Sequence, residues 1–397
     1  MSNTTTTSKG NLLGGILLIA GCCIGAGMLG LPVLSARAGF QPSLVMFLIC
    51  WLFMICTGFL VLEVNLWYKD EISIITMAER TLGLTGKAIA WFVFLFLFYS
   101  LMVAYVAASG NLISEFLADY FQIYLPESLG SLAFCCLFGV LLYLGTGAVD
   151  WFNRILMIGL IVAYAGLIIV GYPHVKNDFL EYKNWNYATA VIPVVIVSFG
   201  FHNLIPSLTT YFRRDVKSLK WAIFIGSLIP FLVYVIWEWL ILGIVPVSEF
   251  SEALNQGEIA TEALKDATGA TWIVDIAQAF AFFAIMTSFL SVALSFVDFL
   301  ADGFKIEKTP AGKAILAFLV VIPPLICALV YPTIFLSALN AAGGFGTMIL
   351  FGILPAMMVW KGRYSQKLGL QELVPGGKGL LFSIILISVC VMLLQLI

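Results

Sequence analysis

Four glycines stand within ten residues near the start of the chain, inside an apolar run long enough to cross a bilayer: Gly21, Gly25, Gly27 and Gly30. Glycine disfavours an α-helix because it loses the most backbone freedom on ordering. A helix that stops and restarts exposes N–H groups at one new end and carbonyl groups at the other, so it can bind an anion and a cation. The spacing predicts such a broken helix. The alternative is a close helix–helix contact through Gly21 and Gly25.

A second interrupted run lies near the middle of the chain, between Pro193 and Pro206. Each proline lacks the backbone N–H group that an α-helix interior needs. Four polar or flexible residues stand between them: Ser198, Gly200, His202 and Asn203. This pattern predicts a second break at membrane depth.

The composition shows which elements must position these residues. Of 397 residues, 61% are hydrophobic and 11% are charged, and the mean hydropathy is +1.04. Soluble domains carry about 25% charged residues, so the chain is expected to be an all-α protein of the membrane. Eleven apolar spans are predicted, at about 11–36, 42–68, 88–118, 129–147, 152–172, 188–212, 220–244, 271–300, 313–330, 332–360 and 378–397.

The positive charges predict the orientation of these spans. With the N-terminus and Lys9 inside, sixteen of the twenty lysines and arginines fall on the inner side. The other four fall on the outer side, at Arg37, Lys176, Lys183 and Lys265. Lysine and arginine concentrate in cytoplasmic loops, so the N-terminus is expected to be cytoplasmic and the C-terminus, at Ile397, periplasmic.

The two breaks are related by position in the chain. Spans one and six are separated by an odd offset, so they cross the membrane in opposite directions, and each break precedes a short segment with a proline, Pro32 or Pro206. This placement predicts an inverted repeat of residues 11–172 and 188–360 within a single domain of residues 1–397. The last span, 378–397, then lies outside the repeat.

Two antiparallel broken helices bring both kinds of helix end together. The N–H groups of Ala26, Gly27 and Met28 suit a carboxylate, because a helix N-terminus carries about half a positive charge. The carbonyl groups of Cys22 and Cys23, together with those of Ser198, Phe199, Gly200 and Phe201, suit an ammonium group. The expected ligand is therefore a zwitterion with the backbone of an amino acid.

The segments Ile24–Pro32, Ser198–His202 and Pro206–Leu208 resemble those of bacterial aromatic amino-acid permeases. These are the tyrosine- and tryptophan-specific carriers of the hydroxy/aromatic amino-acid permease family, in the amino acid/polyamine/organocation superfamily. The resemblance implies the leucine-transporter-like fold of five plus five helices and import of an aromatic amino acid across the bacterial inner membrane. Tyrosine is the first expectation and tryptophan the second.

The predicted substrate site combines the residues of both breaks with an apolar pocket for the side chain. Its members are Cys22, Cys23, Gly25, Ala26, Gly27, Met28, Met102, Tyr105, Ser198, Phe199, Gly200, Phe201, His202 and Phe289. No cofactor is expected apart from a co-transported cation.

Two intramembrane residues are candidates for proton coupling, which the resemblance favours. His202 either carries a proton or, as a neutral residue, ties two helices together, and Glu238 is either part of the coupling path or structural. The resemblance also implies, in outline, a sodium site of Gly21, Ile24, Ala284, Thr287 and Ser288. Hydroxyl groups of this kind also bond to their own helix, which leaves that reading open.

Two carboxylates near the inner ends of spans, Glu63 and Asp298, are candidates for an inner gate with lysine or arginine partners. A channel or a non-transporting sensor of the same fold remains the alternative function. No zinc-protease, diphosphate-binding or serine-hydrolase motif occurs, so no enzyme is predicted. The expected partners are an aromatic amino acid and the lipid bilayer, with no nucleic acid, and the oligomeric state is left open.

Overall fold

The computed structural model describes residues 11–256, 259–261, 263–264, 271–368 and 372–396. Lys9, Lys265 and Ile397, which the orientation argument uses, lie outside the described residues. Throughout the described ranges, all regular structure is helical. The α-helices are α1 Leu12–Cys23, α2 Leu31–Ser35, α3 Phe40–Trp67, α4 Ile74–Leu82, α5 Leu84–Phe121, α6 Glu127–Leu144, α7 Thr146–Gly171, α8 Asn177–Glu181, α9 Ile192–Ser198, α10 Ile205–Tyr211, α11 Val216–Ile244, α12 Val247–Gln256, α13 Thr271–Phe304, α14 Pro310–Val330, α15 Phe335–Ala341, α16 Leu354–Lys361 and α17 Gly377–Leu394.

The helical segments coincide with the predicted spans to within several residues. Among the described residues, ten segments are long and apolar enough to cross a membrane, and there are eleven if one bent pair counts as a single span. The longest predicted spans, the third and the eighth, correspond to α5 and α13, of 38 and 34 residues. The expectation of an all-α membrane fold is confirmed.

The bent pair lies at the glycine-rich stretch of the first span. Helix α1 ends at Cys23, a 3₁₀ turn runs from Ala26 to Gly30, and α2 follows. The two parts are inclined by 42°. Pro32 stands in the first turn of α2, where the N–H group that it lacks would have no helical partner.

The sixth predicted span also consists of separate segments. Helix α9 ends at Ser198, and after Phe199–Phe201 a 3₁₀ turn over His202–Leu204 leads into α10. Pro193 and Pro206 stand in the first turns of α9 and α10 respectively. The two prolines therefore begin helical segments instead of kinking one helix, as their fixed φ allows.

The interrupted segments are packed among longer helices. Helix α1 lies along α11, whereas α9 lies against α3 and against a π-helical segment, Ala342–Ile353. At Gly343 the packing is so close that a Cβ atom would overlap the carbonyl group of Pro193. Helix α13 packs along α7. These contacts leave a space beside the two interruptions.

Candidate functional site

A cavity of about 360 Å³ lies where the two interrupted segments meet α5, α7, α13 and the π-helical segment. This volume is within the range of roughly 300–1,000 Å³ typical of small-molecule sites. Residues of both interruptions line it: Gly21, Cys22, Cys23, Ile24, Gly25, Ala26, Gly27, Ser198 and Gly200. The cavity is therefore bounded by helix ends from both segments.

The first interruption is held by a hydroxyl group of α13. The N–H group of Ala26 donates a hydrogen bond of 2.8 Å to the Ser288 hydroxyl oxygen. A Cβ atom at Gly25 would overlap that same hydroxyl. The backbone at Gly25 is extended, a conformation that any residue can adopt. It is therefore the close approach of Ser288, and not the backbone conformation, that requires glycine at this position. The Met28 N–H group donates to the Gly25 carbonyl oxygen at 3.1 Å. Two of the three amides predicted for a carboxylate, those of Ala26 and Met28, thus already have a protein partner.

The two interrupted segments touch each other at Gly27. A Cβ atom there would lie 2.5 Å from the Ser198 hydroxyl oxygen of α9. That hydroxyl donates to the Val194 carbonyl oxygen at 2.7 Å, so it is fixed in place. Gly27, which has no side chain, thus stands where the 3₁₀ turn of the first interruption meets the end of α9.

The carbonyl ends of both segments are bonded by α11, which the sequence analysis did not anticipate. The Tyr234 hydroxyl lies 2.6 Å from the Cys23 carbonyl oxygen and 3.0 Å from that of Ser198. The Trp237 indole N–H donates to the Met28 carbonyl oxygen at 2.8 Å. No sequence signal distinguishes these two residues, because they are aromatic residues in an apolar span.

One face of α5 supplies an apolar wall. Phe94, Phe98, Leu101 and Tyr105 line the cavity, and Phe351 of the π-helical segment lines it as well. The α5 residues follow helical spacing, which places them on a single face. Only Tyr105 was predicted, although the same periodicity in the sequence could have identified the other three.

Two asparagines add polar atoms to the wall. Asn153 of α7 and Asn203 both line the cavity, and their side-chain oxygens have no hydrogen-bond partner in the described part of the chain. Buried polar atoms are generally bonded, so these oxygens are available to a ligand or water. Asn203 stands next to His202 in the second break and could have been chosen, but Asn153 gave no comparable signal.

Six of the predicted substrate residues lie outside the cavity lining: Met28, Met102, Phe199, Phe201, His202 and Phe289. The Phe289 ring packs against Phe134 of α6, at 4.6 Å between ring centroids. The Phe199 ring packs against Tyr234 at 5.1 Å. Any role of these six in binding remains a prediction.

His202 is fully buried and connects the second interruption to α3. Its Nε2 atom lies 2.9 Å from the Thr57 hydroxyl oxygen, and its ring stacks on Phe351 with centroids 4.5 Å apart. The Nδ1 atom has no partner among the described residues. This environment is that of a helix tie with one ring nitrogen unsatisfied.

Glu238 is buried on α11, with 1% of the residue exposed. One carboxyl oxygen bonds to the Ser35 hydroxyl of α2, and the other has no partner within the described ranges. Glu238 does not line the cavity. Its carboxyl group therefore contacts the end of the first span and not the site itself.

Four of the five residues of the implied sodium site line the cavity: Gly21, Ile24, Thr287 and Ser288. The fifth, Ala284, lies outside the lining. The Thr287 hydroxyl donates to the carbonyl oxygens of Phe283 and Ala284 at 2.8 and 3.1 Å. The Thr287 hydroxyl thus bonds to its own helix, which is the alternative to a sodium site. These bonds use its proton and leave its oxygen lone pairs free.

Comparison with known proteins identifies the family. A model of the tryptophan/tyrosine permease family matches residues 8–395. The chain belongs to the tryptophan/tyrosine permease family. It is 32% identical over 385 residues to tyrosine-specific transport system 1 of Haemophilus influenzae, covering 96% of this chain and 95% of the relative. It is also 32% identical over 367 residues to the tryptophan-specific transport protein of that organism, covering 88% and 87%.

A solved structure supports the fold. The crystal structure of MhsT in complex with L-phenylalanine matches with a TM-score of 0.67 at 15% sequence identity, covering 98% of this chain and 99% of MhsT. By its family and its curated relatives, this tryptophan/tyrosine permease family member is a multi-pass bacterial membrane permease and not an enzyme. The expected family is confirmed.

Proposed function

We propose that this permease is a secondary active transporter that imports an aromatic amino acid, with tyrosine as first choice and tryptophan as second. The observation that carries the proposal is the cavity in which the ends of both interrupted segments meet the apolar face of α5. The relatives named above, which are tyrosine- and tryptophan-specific by their names, support the substrate class.

The backbone of the amino acid is recognised by the helix ends. Its carboxylate approaches the start of the 3₁₀ turn Ala26–Gly30 at Gly27, which carries no side chain that would block the approach. Its ammonium group lies beside the carbonyl groups at the ends of α1 and α9, which are those of Cys22, Cys23, Ser198 and Gly200. The Cys22 thiol lies 3.9 Å from the Gly200 carbonyl oxygen. The two interruptions are therefore close enough for one ammonium group to contact both.

The aromatic side chain is recognised by an apolar wall with a polar tip. Phe94, Phe98 and Leu101 provide the wall. The unpartnered oxygen of Asn203 accepts a hydrogen bond from a phenol hydroxyl or an indole N–H group. Phenylalanine offers no such donor, which favours tyrosine and tryptophan.

The architecture proposed for transport has eleven spans. Residues 11–172 and 188–360 form an inverted repeat, the first and sixth spans are broken at mid-membrane, and the span 378–397 is peripheral. Transport occurs by alternating access around the two breaks. The N-terminus is cytoplasmic and the C-terminus periplasmic, as the positive charges indicate.

The driving force is a proton gradient, and His202 and Glu238 are the candidate proton-carrying groups. Both side chains are buried within spans, and each has one unsatisfied polar atom in the described part of the chain. Buried ionisable groups in a membrane are costly and mark coupling paths more often than surface groups do.

Sodium coupling is the second candidate. It is favoured by the placement of the Thr287 and Ser288 hydroxyls in the cavity wall, opposite Gly21 and Ile24 at the end of α1. Oxygen ligands from hydroxyl and carbonyl groups suit a hard cation.

Uptake into proteoliposomes tests the proposal. Labelled tyrosine, tryptophan and phenylalanine are offered under separately imposed proton and sodium gradients. We expect saturable, stereoselective accumulation of tyrosine or tryptophan that requires the proton gradient. Accumulation driven by sodium alone supports the second candidate, whereas non-saturating flux, or no binding of any aromatic amino acid by the folded protein, contradicts transport.

A further inference from the structure

Tyr234 reaches both interrupted segments with a single hydroxyl group. The hydroxyl oxygen lies 2.6 Å from the Cys23 carbonyl oxygen and 3.0 Å from the Ser198 carbonyl oxygen. Cys23 is the last residue of α1, and Ser198 is the last residue of α9. The Tyr234 side chain is completely buried, so its hydroxyl stands between two helix carboxyl ends without access to bulk water.

Two helix carboxyl ends that converge create a negative point. Each end carries a partial charge of about −0.5, so the ends repel each other and attract a cation. Unwound carbonyls and helix ends of this kind hold metal cations in transporters with broken helices. A phenol hydroxyl is instead a neutral donor with one proton, which it can share between two nearby acceptors.

The same face of α11 holds the rest of the first span. Trp237 and Glu238 follow Tyr234 by three and four residues, so the three side chains share one helix face. Trp237 bonds to the Met28 carbonyl oxygen at 2.8 Å, and Glu238 bonds to the Ser35 hydroxyl. Helix α11 is thus bonded successively to α1, the 3₁₀ turn and α2.

We infer that Tyr234 is a positioning residue whose hydroxyl occupies the cation-attracting point between α1 and α9. This point therefore needs no metal cation, and the substrate ammonium group uses the carbonyl lone pairs that Tyr234 leaves free. The inference rests on the proposed function, because it concerns the ammonium end of the same amino-acid site. It is separate from the Thr287 and Ser288 hydroxyls, which belong to α13.

The test compares Tyr234→Phe with a matched control, Tyr164→Phe. Tyr164 lies on α7 and also bonds through its hydroxyl to a backbone carbonyl of α11, that of Val233, at 2.8 Å. Neither tyrosine lines the cavity, but Cys23 and Ser198, which Tyr234 bonds, do, whereas Val233 does not. Each variant removes one hydroxyl and keeps the ring, so the two differ in which carbonyl groups lose their donor.

Two measurements are made on purified protein. The first is the Kd for tyrosine and tryptophan, which we expect to rise about tenfold in Tyr234→Phe and less than about threefold in Tyr164→Phe, as expected for loss of one hydrogen bond. The second is the change in Tm when choline is replaced by sodium at constant ionic strength, without amino acid. We expect this change to be larger in Tyr234→Phe than in the wild type or the control, because sodium binds the exposed carbonyls. Equal effects in both variants overturn the inference.

The outcomes separate this inference from the proposed function. A wild-type protein that binds no aromatic amino acid contradicts the proposed function, while the sodium-dependent change in Tm still tests Tyr234. If Tyr234→Phe does not fold, an experimental structure of the wild type in sodium buffer decides. We expect the hydroxyl within hydrogen-bond distance of both carbonyl oxygens, and a cation bound there with the hydroxyl turned away overturns the inference.

Discussion

At the scale of single residues, Gly25 and Gly27 stand at positions where the surrounding structure leaves no room for a side chain. Neighbouring hydroxyl groups, Ser288 beside Gly25 and Ser198 beside Gly27, occupy the space that a Cβ atom would need. The same hydroxyls are held by hydrogen bonds to Ala26 and Val194. The two glycines thus allow the interrupted segments to approach their neighbours closely. Their role is to leave space for these contacts, and not only to make the backbone flexible.

Gly27→Ala is expected to weaken amino-acid binding. The new methyl group would lie 2.5 Å from the Ser198 hydroxyl, so one segment must move away from the other. We expect Kd to rise about tenfold, which corresponds to about 1.4 kcal/mol. Gly139→Ala on α6, where a Cβ atom would meet nothing within 4 Å, is the control. Unchanged affinity in Gly27→Ala would show that the carboxylate binds elsewhere.

Asn203→Ala is expected to change substrate preference. Loss of its unpartnered oxygen removes the acceptor for a phenol hydroxyl or indole N–H group. We expect Kd for tyrosine and tryptophan to rise about tenfold while Kd for phenylalanine changes little. Asn340→Ala is matched, because Asn340 also has an unpartnered buried oxygen but does not line the cavity. A parallel loss for all three amino acids would contradict this role.

Glu238→Gln is expected to uncouple transport from the proton gradient. Glutamine can still bond to Ser35 but cannot exchange a proton. We expect exchange of labelled for unlabelled substrate to persist, while accumulation under an imposed proton gradient is lost. Ser35→Ala, which keeps the carboxyl group, is the control. If Glu238→Gln still accumulates substrate, Glu238 is structural, and the same assay on His202→Gln tests the other candidate.

At the scale of elements, an ion pair joins the end of α3 to the segment before α17. The Arg363 guanidinium donates two hydrogen bonds of 2.6 Å to the Glu63 carboxylate, and their side chains are 5% and 2% exposed. The Leu373 N–H group donates to the same carboxylate at 2.9 Å. The other gate candidate, Asp298, pairs with Lys308 at 2.7 Å, and both side chains are about half exposed.

Glu63→Gln is therefore expected to destabilise the protein far more than Asp298→Asn. Removing the Glu63 charge leaves the buried Arg363 guanidinium with the half-exposed Glu372 as its charged partner and with its hydrogen bond to the Val374 carbonyl oxygen. Breaking a buried pair costs about 3–5 kcal/mol, whereas an exposed pair contributes about 0–1 kcal/mol. Thermal unfolding of the two purified variants measures the loss of stability in each. Equal Tm values for the two variants would show that the buried pair contributes no more than the exposed one.

At the scale of the whole molecule, the cavity extends from the interruptions toward one end of the helix bundle. Asn153 and Met157 lie in the first half of α7, and Ser291 and Ser295 lie in the second half of α13. In the proposed orientation, the start of α7 and the end of α13 both face the cytoplasm. In that orientation, the cavity extends from the interruptions toward the cytoplasmic side and not toward the periplasmic side.

Cys22 allows this state to be tested, because its side chain is exposed and lines the cavity. In a protein with Cys22 as its only cysteine, a membrane-impermeant thiol reagent should react from the cytoplasmic side of inside-out vesicles. Tyrosine should slow the reaction by filling the cavity. A protein with only Cys50, which is buried, should remain unlabelled until it is unfolded. Labelling of Cys22 from the periplasmic side alone would reverse the proposed orientation or the state.

The sequence by itself determined the positions of the helices and the family. Hydropathy, the glycine cluster and the prolines are local properties, and they located α1, α2, α9 and α10 to within a few residues. The motifs around Gly25 and Gly200 indicated the permease family that the comparison then established.

Only the tertiary structure decided which side chains surround the cavity. Phe289 and Phe94 are both phenylalanines in apolar spans, yet Phe289 packs against α6 while Phe94 lines the site. Tyr234 bonds to residues 211 and 36 positions away in the chain. Helix periodicity gives the face on which a residue lies, but which neighbour that face meets depends on how the helices pack, and a single sequence carries no direct record of those long-range contacts.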